Sequence, residues 1–256
     1  MAGHSKWANI KHRKDRQDQK RGKLWSKCAR AIIAAAKSGG PDPAMNLTLR
    51  YAIDEARYAN MPKDNIERAI KKGAGEGGAE DYAAVRYEGY GPGGVAILVD
   101  TLTDNKTRTV NELRTAFSKG GGNLGNSGCV AYLFDTRGQI MVSAEGVNEE
   151  KIMEAAIEAG ATDVQSPETD EEDDAGYWTL STEPTEFQAV KDALEEAGFK
   201  ISEAWIAMVP QNLVSLRGDD ARKLMNLIDV LEDHDDAQKV YTNADIPDEE
   251  LAALNG

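Results

Sequence analysis

The side chains best suited to a specific chemistry are concentrated near the N-terminus. There, Lys and Arg residues alternate with two histidines and a tryptophan. Ammonium and guanidinium groups bind phosphates and release condensed counterions, and imidazole and indole rings stack on unpaired bases. The sequence therefore predicts a nucleic-acid-binding surface, with a solvated basic face as the alternative. The candidate residues are His4, Lys6, Trp7, Lys11, His12, Arg13, Lys14, Arg16, Lys20, Arg21, Lys23, Lys27, Arg30 and Lys37.

The second half of this segment is predicted to be a helix. From Leu24 to Ala35, apolar residues repeat at helical spacing and define one face. Beside that face, a group of cations falls within about a third of the circumference. These cations are Lys20, Lys23, Lys27, Arg30 and Lys37. One side of the helix can then pack on the protein while the adjacent side meets phosphates.

Formal charge is divided unevenly along the chain. Residues 1–72 carry 17 basic and 7 acidic side chains, a net of +10, whereas residues 73–256 carry 13 basic and 37 acidic ones, a net of −24. This asymmetry indicates a polyanionic partner at the N-terminal end. The acidic remainder would be repelled by the same polyanion. We therefore expect a small footprint on DNA or ribosomal RNA, with the acidic domains open to the ribosome or another protein.

Catalytic and cofactor motifs are poorly supported. The chain has three histidines, two of them in the basic segment, so no nucleophile–base pair is indicated and no catalytic residue is predicted. Gly89, Gly91 and Gly94 have the spacing of a dinucleotide site. The segment after them is a predicted strand where such a site needs a helix, so a hairpin turn is favoured and no cofactor is predicted.

Two loops next to a predicted helix are also interpreted as structural. The glycine-rich segment 120–125 follows that helix, so a plain connection is favoured over a phosphate-binding loop. In segment 103–108, Asp104 or Asn105 is expected to cap the same helix at its start. An anion held there by Lys106 and Arg108 is the alternative.

Two acidic segments contain residue types that bind metals. Segment 232–236 includes His234 but no second convergent His or Cys, and segment 168–174 lacks an EF-hand pattern. Both are predicted to be solvated turns, and no metal site is predicted.

Composition excludes several classes of protein. No run of about 18 apolar residues is present, and the N-terminus lacks the apolar core of a secretory signal. Cys28 and Cys129 are far apart and have no CxxC partner, so neither a zinc ribbon nor a disulfide framework is indicated. We expect a cytoplasmic protein with no membrane partner.

The elements predict an α+β fold. Three helical segments from Leu24 to about Lys72 form a small bundle. Mixed strands and helices follow, including an apolar strand at 129–134 and, from residue 139, the ferredoxin-like order β-α-β-β-α-β. The flanking pieces are too small to fold alone, so we expect them to pair around the ferredoxin-like unit.

The predicted fold is thus an N-terminal three-helix bundle plus two α/β domains, one ferredoxin-like and inserted into the other. We expect the basic arm and bundle at 1–75, a discontinuous α/β domain at 80–134 with 210–245, and the inserted domain at 135–209.

Several stretches resemble a known family. The sequence AGHSKWANIKHRK at 2–14 is a near-verbatim match to the opening of the YebC/PmpR family, whose mitochondrial relatives include the translational activator of cytochrome c oxidase. Segments 60–70, 87–94, 102–105 and 231–238 resemble further family segments. The chain departs from the family's usual residues at Trp25, Ala31, Thr107 and Cys129. None of these departures removes a basic residue of the opening segment.

The resemblance implies three domains and a non-enzymatic role in gene expression. Members are classed as probable transcriptional regulators that bind DNA, and others act on translation at the ribosome. We therefore expect a DNA-binding transcriptional regulator, with a ribosome-associated translation factor that binds ribosomal RNA as the alternative. Two other classes stay open on the sequence: a protein-binding adaptor, and an enzyme with its site in the cleft between domains.

Overall fold

A computed structural model of the chain describes residues 21–76, 81–167, 176–247 and 250–251. The chain divides into two compact units. Unit 1 comprises Met1–Phe134 and Pro210–Gly256, and unit 2 is the inserted segment Asp135–Val209. Unit 1 holds both the bundle and the discontinuous α/β part, so the boundary expected between residues 75 and 80 stays a prediction.

Helices come first along the described residues, and strands mixed with helices follow. The helices are α1 (Arg21–Gly39), α2 (Leu47–Tyr58), α3 (Lys63–Gly73), α4 (Lys106–Lys119), α5 (Glu149–Ala159), α6 (Phe187–Glu196) and α7 (Gly218–Asp233). The strands are β1 (Ala83–Tyr90), β2 (Ala96–Thr103), β3 (Asn123–Leu124), β4 (Phe134–Ser143), β5 (Asp163–Gln165), β6 (Tyr177–Thr182), β7 (Ile201–Pro210), β8 (Val214–Ser215), β9 (Ala237–Thr242) and β10 (Ala244–Asp245).

The three N-terminal helices form the predicted bundle. Ile32 of α1 and Leu49 of α2 are fully buried in its core. Asn46 joins these two helices: its Oδ1 accepts from Leu49 N at 3.1 Å and caps α2, while its Nδ2 donates to Ala35 O at 2.8 Å. Trp25 of α1 adds a second link, because its Nε1 donates to Ala59 O at 3.0 Å. The helices are thus fixed to one another by polar contacts as well as by their apolar faces.

The α/β part of unit 1 is built on an antiparallel sheet of order β3-β1-β2-β9. The helices α4 and α7 contribute Leu113, Phe117, Leu224 and Leu231 to its core, all fully buried. The strands β8 and β10 form a separate parallel pair. Segments before and after the insertion therefore share one core, as predicted from their sizes.

The turn between β1 and β2 is the predicted hairpin. Gly93 has φ 68° and ψ 6°, the values of the third residue of a type II turn, and Gly94 N donates to Gly91 O at 3.1 Å. The strand β2 follows directly, so the three glycines of the dinucleotide-like spacing serve a turn.

Unit 2 has the ferredoxin-like element order that the sequence predicts. Its sheet has the order β5-β6-β4-β7, and β4 and β5 both pair antiparallel with β6. Ile140, Ile152, Leu180 and Leu194 of this unit are fully buried. The fold class is therefore confirmed: α+β, with a three-helix bundle and two α/β domains, one inserted into the other.

The predicted strand at 129–134 is wrong. Residues Ala131–Leu133 form a 3-10 turn, and β4 begins only at Phe134. The cause is the buried Glu88, whose carboxylate accepts from Gly128 N at 2.6 Å, Val130 N at 2.9 Å and Ala131 N at 2.8 Å. Because a carboxylate occupies these N–H groups, they are not available to a neighbouring strand.

Glu88 is well suited to hold this loop. Burial alone would raise the pKa of its carboxyl group, but the three backbone hydrogen bonds outweigh that effect and hold the pKa below its ordinary value. The side chain is therefore ionised at neutral pH and retains its full capacity to accept hydrogen bonds.

The glycine-rich segment after α4 is more than the plain connection expected. Asn123 and Leu124 form β3 and pair with Tyr90 and Gly89 of β1. A Cβ on Gly122 would lie 2.4 Å from Tyr90 O, so only glycine permits this close backbone approach. The acidic segment predicted to be a turn at 168–174 lies outside the described residues.

Within the described ranges, no helix combines the length and the apolar character that crossing a bilayer requires.

Candidate nucleic-acid interface

Helix α1 carries the predicted cations and presents more than one face outside the bundle core. Lys23, Lys27 and Arg30 share one side, here called the docked face. Gly22, Ser26 and Ala29 lie about 100° away on the helical wheel. The docked face is directed at residues 232–236, here called the acidic turn.

The two lysines of the docked face bind the acidic turn directly. Lys23 Nζ donates to Asp233 Oδ2 at 2.8 Å and to Asp233 O at 2.7 Å. Lys27 Nζ donates to Glu232 O at 2.5 Å. These carbonyls lie at the C-terminal end of α7, where the helix dipole favours positive charge.

Arg30 makes the closest link between α1 and the sheet. Its Nη1 lies 2.6 Å from Asp235 O, 2.9 Å from Asp236 Oδ1 and 3.3 Å from Leu102 O. The guanidinium group also sits 5.2 Å from the centre of the Tyr82 ring, within cation–π range. Arg30 thus bridges the bundle and the end of β2.

Asp236 is the centre of this network. Its side chain is 2% exposed and also accepts from Arg108 Nη2 at 2.7 Å and Thr109 Oγ1 at 2.7 Å. Burial alone would raise the pKa of Asp236, but the hydrogen bonds from Arg108 and Thr109 hold the pKa below its ordinary value. One ionised carboxylate therefore joins α1, α4 and the acidic turn.

His234 shapes the acidic turn from within. Its Nδ1 accepts from Asp236 N at 3.1 Å, and its Nε2 lies 2.9 Å from Glu112 Oε2 of α4. The first contact requires a lone pair on Nδ1, which assigns the proton to Nε2 as the donor to Glu112. The turn predicted to be solvated is therefore held by specific contacts to two helices.

The loop at 103–108 caps α4, the interpretation favoured on the sequence. Asn105 Oδ1 accepts from Arg108 N at 3.0 Å. Thr103 Oγ1 accepts from Asn105 N at 2.9 Å and is 2.7 Å from Thr109 Oγ1. Arg108, a candidate for holding an anion, already binds Asp104 at 2.8 Å as well as Asp236.

An open pocket of about 590 Å³ lies between α1, α4 and the acidic turn. Three cations line it, Lys23, Arg30 and Arg108, against five acidic side chains. The acidic residues are Asp104, Glu112, Asp233, Asp235 and Asp236. This lining carries a net negative charge and is unsuited to a polyanion. Across the part of the chain that the structure describes, no three His, Cys, Asp or Glu side chains converge as metal ligands.

The described candidate residues therefore have partners within the protein. Lys23, Lys27 and Arg30 contact the acidic turn, and Lys37 pairs with the exposed Asp81. Phosphate contacts by these four residues stay a prediction. The candidates from His4 to Lys20 lie outside the described residues, as does the side chain of Arg21.

The sequence interpretation missed an open surface on a second face of α1, about 100° from the docked face. A groove of about 360 Å³ runs between α1 and α3 and is here called the α1–α3 groove. Trp25, Ala29 and Met61 line it, with Arg68 and Lys72 of α3 at its rim. The apolar and basic spacing of α3 was visible in the sequence, but its position beside α1 depends on how the helices pack.

The partly buried amine of Lys27 leads to a prediction about alkaline stability. Burial lowers the pKa of Lys27 from 10.5 to about 8, and the neighbouring carboxylates offset only part of that effect. Between these values the unfolded chain binds more protons, so stability should rise as pH increases from about 8 to 10.5. Lys27→Met should abolish this rise and stabilise the protein by about 2 kcal/mol at pH 7. Urea denaturation at pH 7, 8.5 and 10 measures both effects, and an unchanged alkaline rise in the variant would contradict the assignment.

The fold and the charge distribution together define the class of protein to which the chain belongs. In this class, a helical bundle with a basic N-terminal segment is joined to an acidic pair of α/β domains, one of which is inserted into the other. The chain belongs to the TACO1/YebC family, which confirms the resemblance seen in its motifs. The description "TACO1/YebC protein N-terminal domain" matches residues 5–76, and "TACO1/YebC second and third domain" matches residues 82–244.

Individual relatives are similar over nearly their whole length. A "Probable transcriptional regulatory protein" of Dictyoglomus turgidum is 52% identical and covers 100% of both chains. A protein of the same name from Shewanella oneidensis is 54% identical over 99% of this chain and 100% of its own. The crystal structure of a conserved hypothetical protein from Aquifex aeolicus is 48% identical, with a TM-score of 0.80 over 90% of this chain and 93% of that one.

Proposed function

We propose that this protein is a non-enzymatic regulator of gene expression that binds DNA through its basic N-terminal segment. The observation that carries the proposal is the division of charge, +10 in residues 1–72 against −24 in residues 73–256. The names of the curated relatives support a role in transcriptional regulation.

The contacts of α1 narrow the set of candidate residues that would bind the nucleic acid. Lys23, Lys27 and Arg30 bind the acidic turn, so a phosphate there would have to displace carboxylate or carbonyl partners. Residues 1–20, which alone are called the basic segment from here on, carry six basic and two acidic side chains. We therefore assign the main phosphate contacts to this segment, with the rings of His4, Trp7 and His12 available for stacking.

The alternative target is ribosomal RNA. The acidic domains favour a small footprint, and a ribosome offers both a local RNA site and proteins for the remainder of the chain. DNA is placed first because the relatives' names refer to transcription.

Crosslinking in cells followed by sequencing of both DNA and RNA tests the proposal. The parent is compared with a variant carrying Lys6→Glu, Lys11→Glu, Arg13→Glu and Lys14→Glu. A second variant makes the same change of charge at four exposed positions elsewhere, Arg114, Lys119, Lys151 and Lys200. We expect enrichment at promoter DNA that the first variant loses and the second retains.

Two outcomes would count against it. Reads concentrated on ribosomal RNA would replace the promoter-binding function with the translational one. Equal crosslinking by all three proteins would remove the basic segment from the mechanism.

A further inference from the structure

We propose that the α1–α3 groove binds an unpaired base of single-stranded nucleic acid, with an adjacent phosphate on Arg68. The inference rests on the proposed function, because it extends the phosphate contacts of the basic segment to a site for a base.

The floor of the groove is apolar and fixed in shape. Ile33 and Met61 are 6% and 7% exposed and belong to the bundle core. Trp25 forms part of the wall, and its ring is oriented by the hydrogen bond from Nε1 to Ala59 O. The volume of about 360 Å³ falls within the range of small-ligand sites, about 300–1,000 Å³. A flat ring can therefore enter a preformed space.

The charge of the rim selects an anionic partner. Arg68 is exposed at the edge of the groove, and no acidic side chain in the described ranges forms a salt bridge with it. Lys72 lies one turn further along α3 at the same edge. No acidic residue of the described chain lines the groove, in contrast to the acid-rich pocket on the docked face. A guanidinium group beside an apolar slot matches a phosphate beside a base.

The position of the groove connects it to the basic segment. Gly22 lines the groove and is two residues from Lys20, the last residue of that segment. Adjacent Cα atoms are about 3.8 Å apart, so chain connectivity alone keeps the Cα of Lys20 within about 8 Å of the Cα of Gly22. An acidic peptide would satisfy Arg68 as well, but nucleic acid satisfies the groove and the basic segment with one ligand.

A duplex fits this site less well. Its bases are stacked and paired, so a base must be unstacked before it can enter, at a cost of free energy. We therefore expect a preference for single strands over duplexes of the same length that comes from the groove.

Binding of fluorescein-labelled dT20 and rU20, measured by anisotropy on the full chain, tests the proposal. Ser26 lines the groove and is exposed, so Ser26→Phe should fill the slot and weaken binding about tenfold. The matched control is Ser38→Phe, another exposed serine of α1, at its opposite end. Each hydroxyl makes a local bond to its own helix, from Ser26 to Gly22 O and from Ser38 to Ala35 O.

A second pair of variants tests the phosphate contact separately from the slot for the base. Arg68→Glu should weaken binding more than Lys71→Glu, which makes the same charge change on the same helix but does not line the groove. An abasic oligomer of equal charge should bind the parent about tenfold more weakly than dT20, and this difference should vanish in Ser26→Phe. Far-UV circular dichroism confirms that each variant is folded.

The outcomes separate the two proposals. Tight binding by the parent that neither Ser26→Phe nor Arg68→Glu alters would overturn the groove and leave the proposed function standing. A parent that binds no oligomer at low salt would overturn both. A third outcome is that the same substitutions weaken binding of a poly-glutamate peptide as strongly as they weaken binding of dT20. That result would show that the groove binds acidic chains in general, and the proposal of base binding would be wrong.

Discussion

Asp236→Ala should lower the free energy of unfolding of unit 1 by about 3–5 kcal/mol, the cost of removing one partner from a buried charge network. The carboxylate is 2% exposed and binds Arg30, Arg108 and Thr109. Without it, two guanidinium groups lose their shared anion, and Arg30 of α1 keeps its hydrogen bonds to the carbonyls of Asp235 and Leu102 but has no carboxylate partner. Urea denaturation at pH 7, followed by circular dichroism, measures the loss.

Asp235 provides the matched control for this prediction. It is the preceding residue in the sequence, but its carboxylate is 77% exposed and makes only a long ion pair, 3.9 Å from Lys23 Nζ. Asp235→Ala should therefore change stability by less than about 0.5 kcal/mol. Equal effects of the two substitutions would show that the network does not hold the bundle to the α/β part.

The same carboxylate should contribute to acid sensitivity. The pKa of Asp236 is below its ordinary value in the folded state, so its contribution is present above the unfolded pKa of about 3.9. That contribution is lost as pH falls through the lower folded value. In the Asp236→Asn variant, the free energy of unfolding should therefore fall less steeply than in the parent as pH decreases below about 3.9.

Reversing four charges in the basic segment should weaken DNA binding at least a hundredfold at about 0.1 M salt. The variant carries Lys6→Glu, Lys11→Glu, Arg13→Glu and Lys14→Glu. Each lost phosphate contact also removes about 0.9 from the slope of log K against log salt for duplex DNA, so four contacts remove between three and four. Anisotropy titrations with a labelled duplex at several KCl concentrations measure both quantities.

A change of net charge alone would not produce this result. The control variant, altered to Glu at Arg114, Lys119, Lys151 and Lys200, has the same net charge. It should keep the slope of the parent, because long-range repulsion between exposed charges is screened beyond about 10 Å at this salt. Slopes that fall equally in both variants would assign the effect to total charge and remove the direct contacts.

Local sequence signals were enough for most of the fold. The apolar spacing from Leu24 to Ala35 predicts a helix that packs on one side, and Ile32 and Ala35 are indeed buried. The pair Pro92-Gly93 predicts a turn with positive φ at the glycine, and Gly93 has φ 68°. The insertion followed from core size, since neither flanking piece could bury enough apolar surface alone.

Long-range charge pairing was not predictable in the same way. Lys23 and Asp233 are 210 positions apart, and the helical wheel shows only that Lys23 points away from the apolar face. Whether that side faces water or a carboxylate depends on where α7 ends. For the same reason, the wheel grouped Lys23, Lys27 and Arg30 as open cations, although all three bind the acidic turn.

The error at 129–134 has a comparable origin. Its apolar residues satisfy the composition of a strand, and nothing nearby in sequence competes for their N–H groups. The competitor is Glu88, more than 40 positions from Val130 and Ala131. A single ionised side chain on β1, distant in sequence, therefore outweighed the local preference.

The hydrogen bond from Gln211 N to Leu133 O, 2.9 Å long, closes the neck from which the 75-residue insertion emerges. Both residues belong to unit 1. From the point of view of unit 1, the inserted sequence is therefore a loop whose two ends are joined by this hydrogen bond. Loop-closure entropy grows only slowly with length, so an insertion of a different length would change the cost of closing this loop only slightly. The junction is consequently a natural graft point, at which lineages or protein engineers can exchange one folded module for another without rebuilding the host.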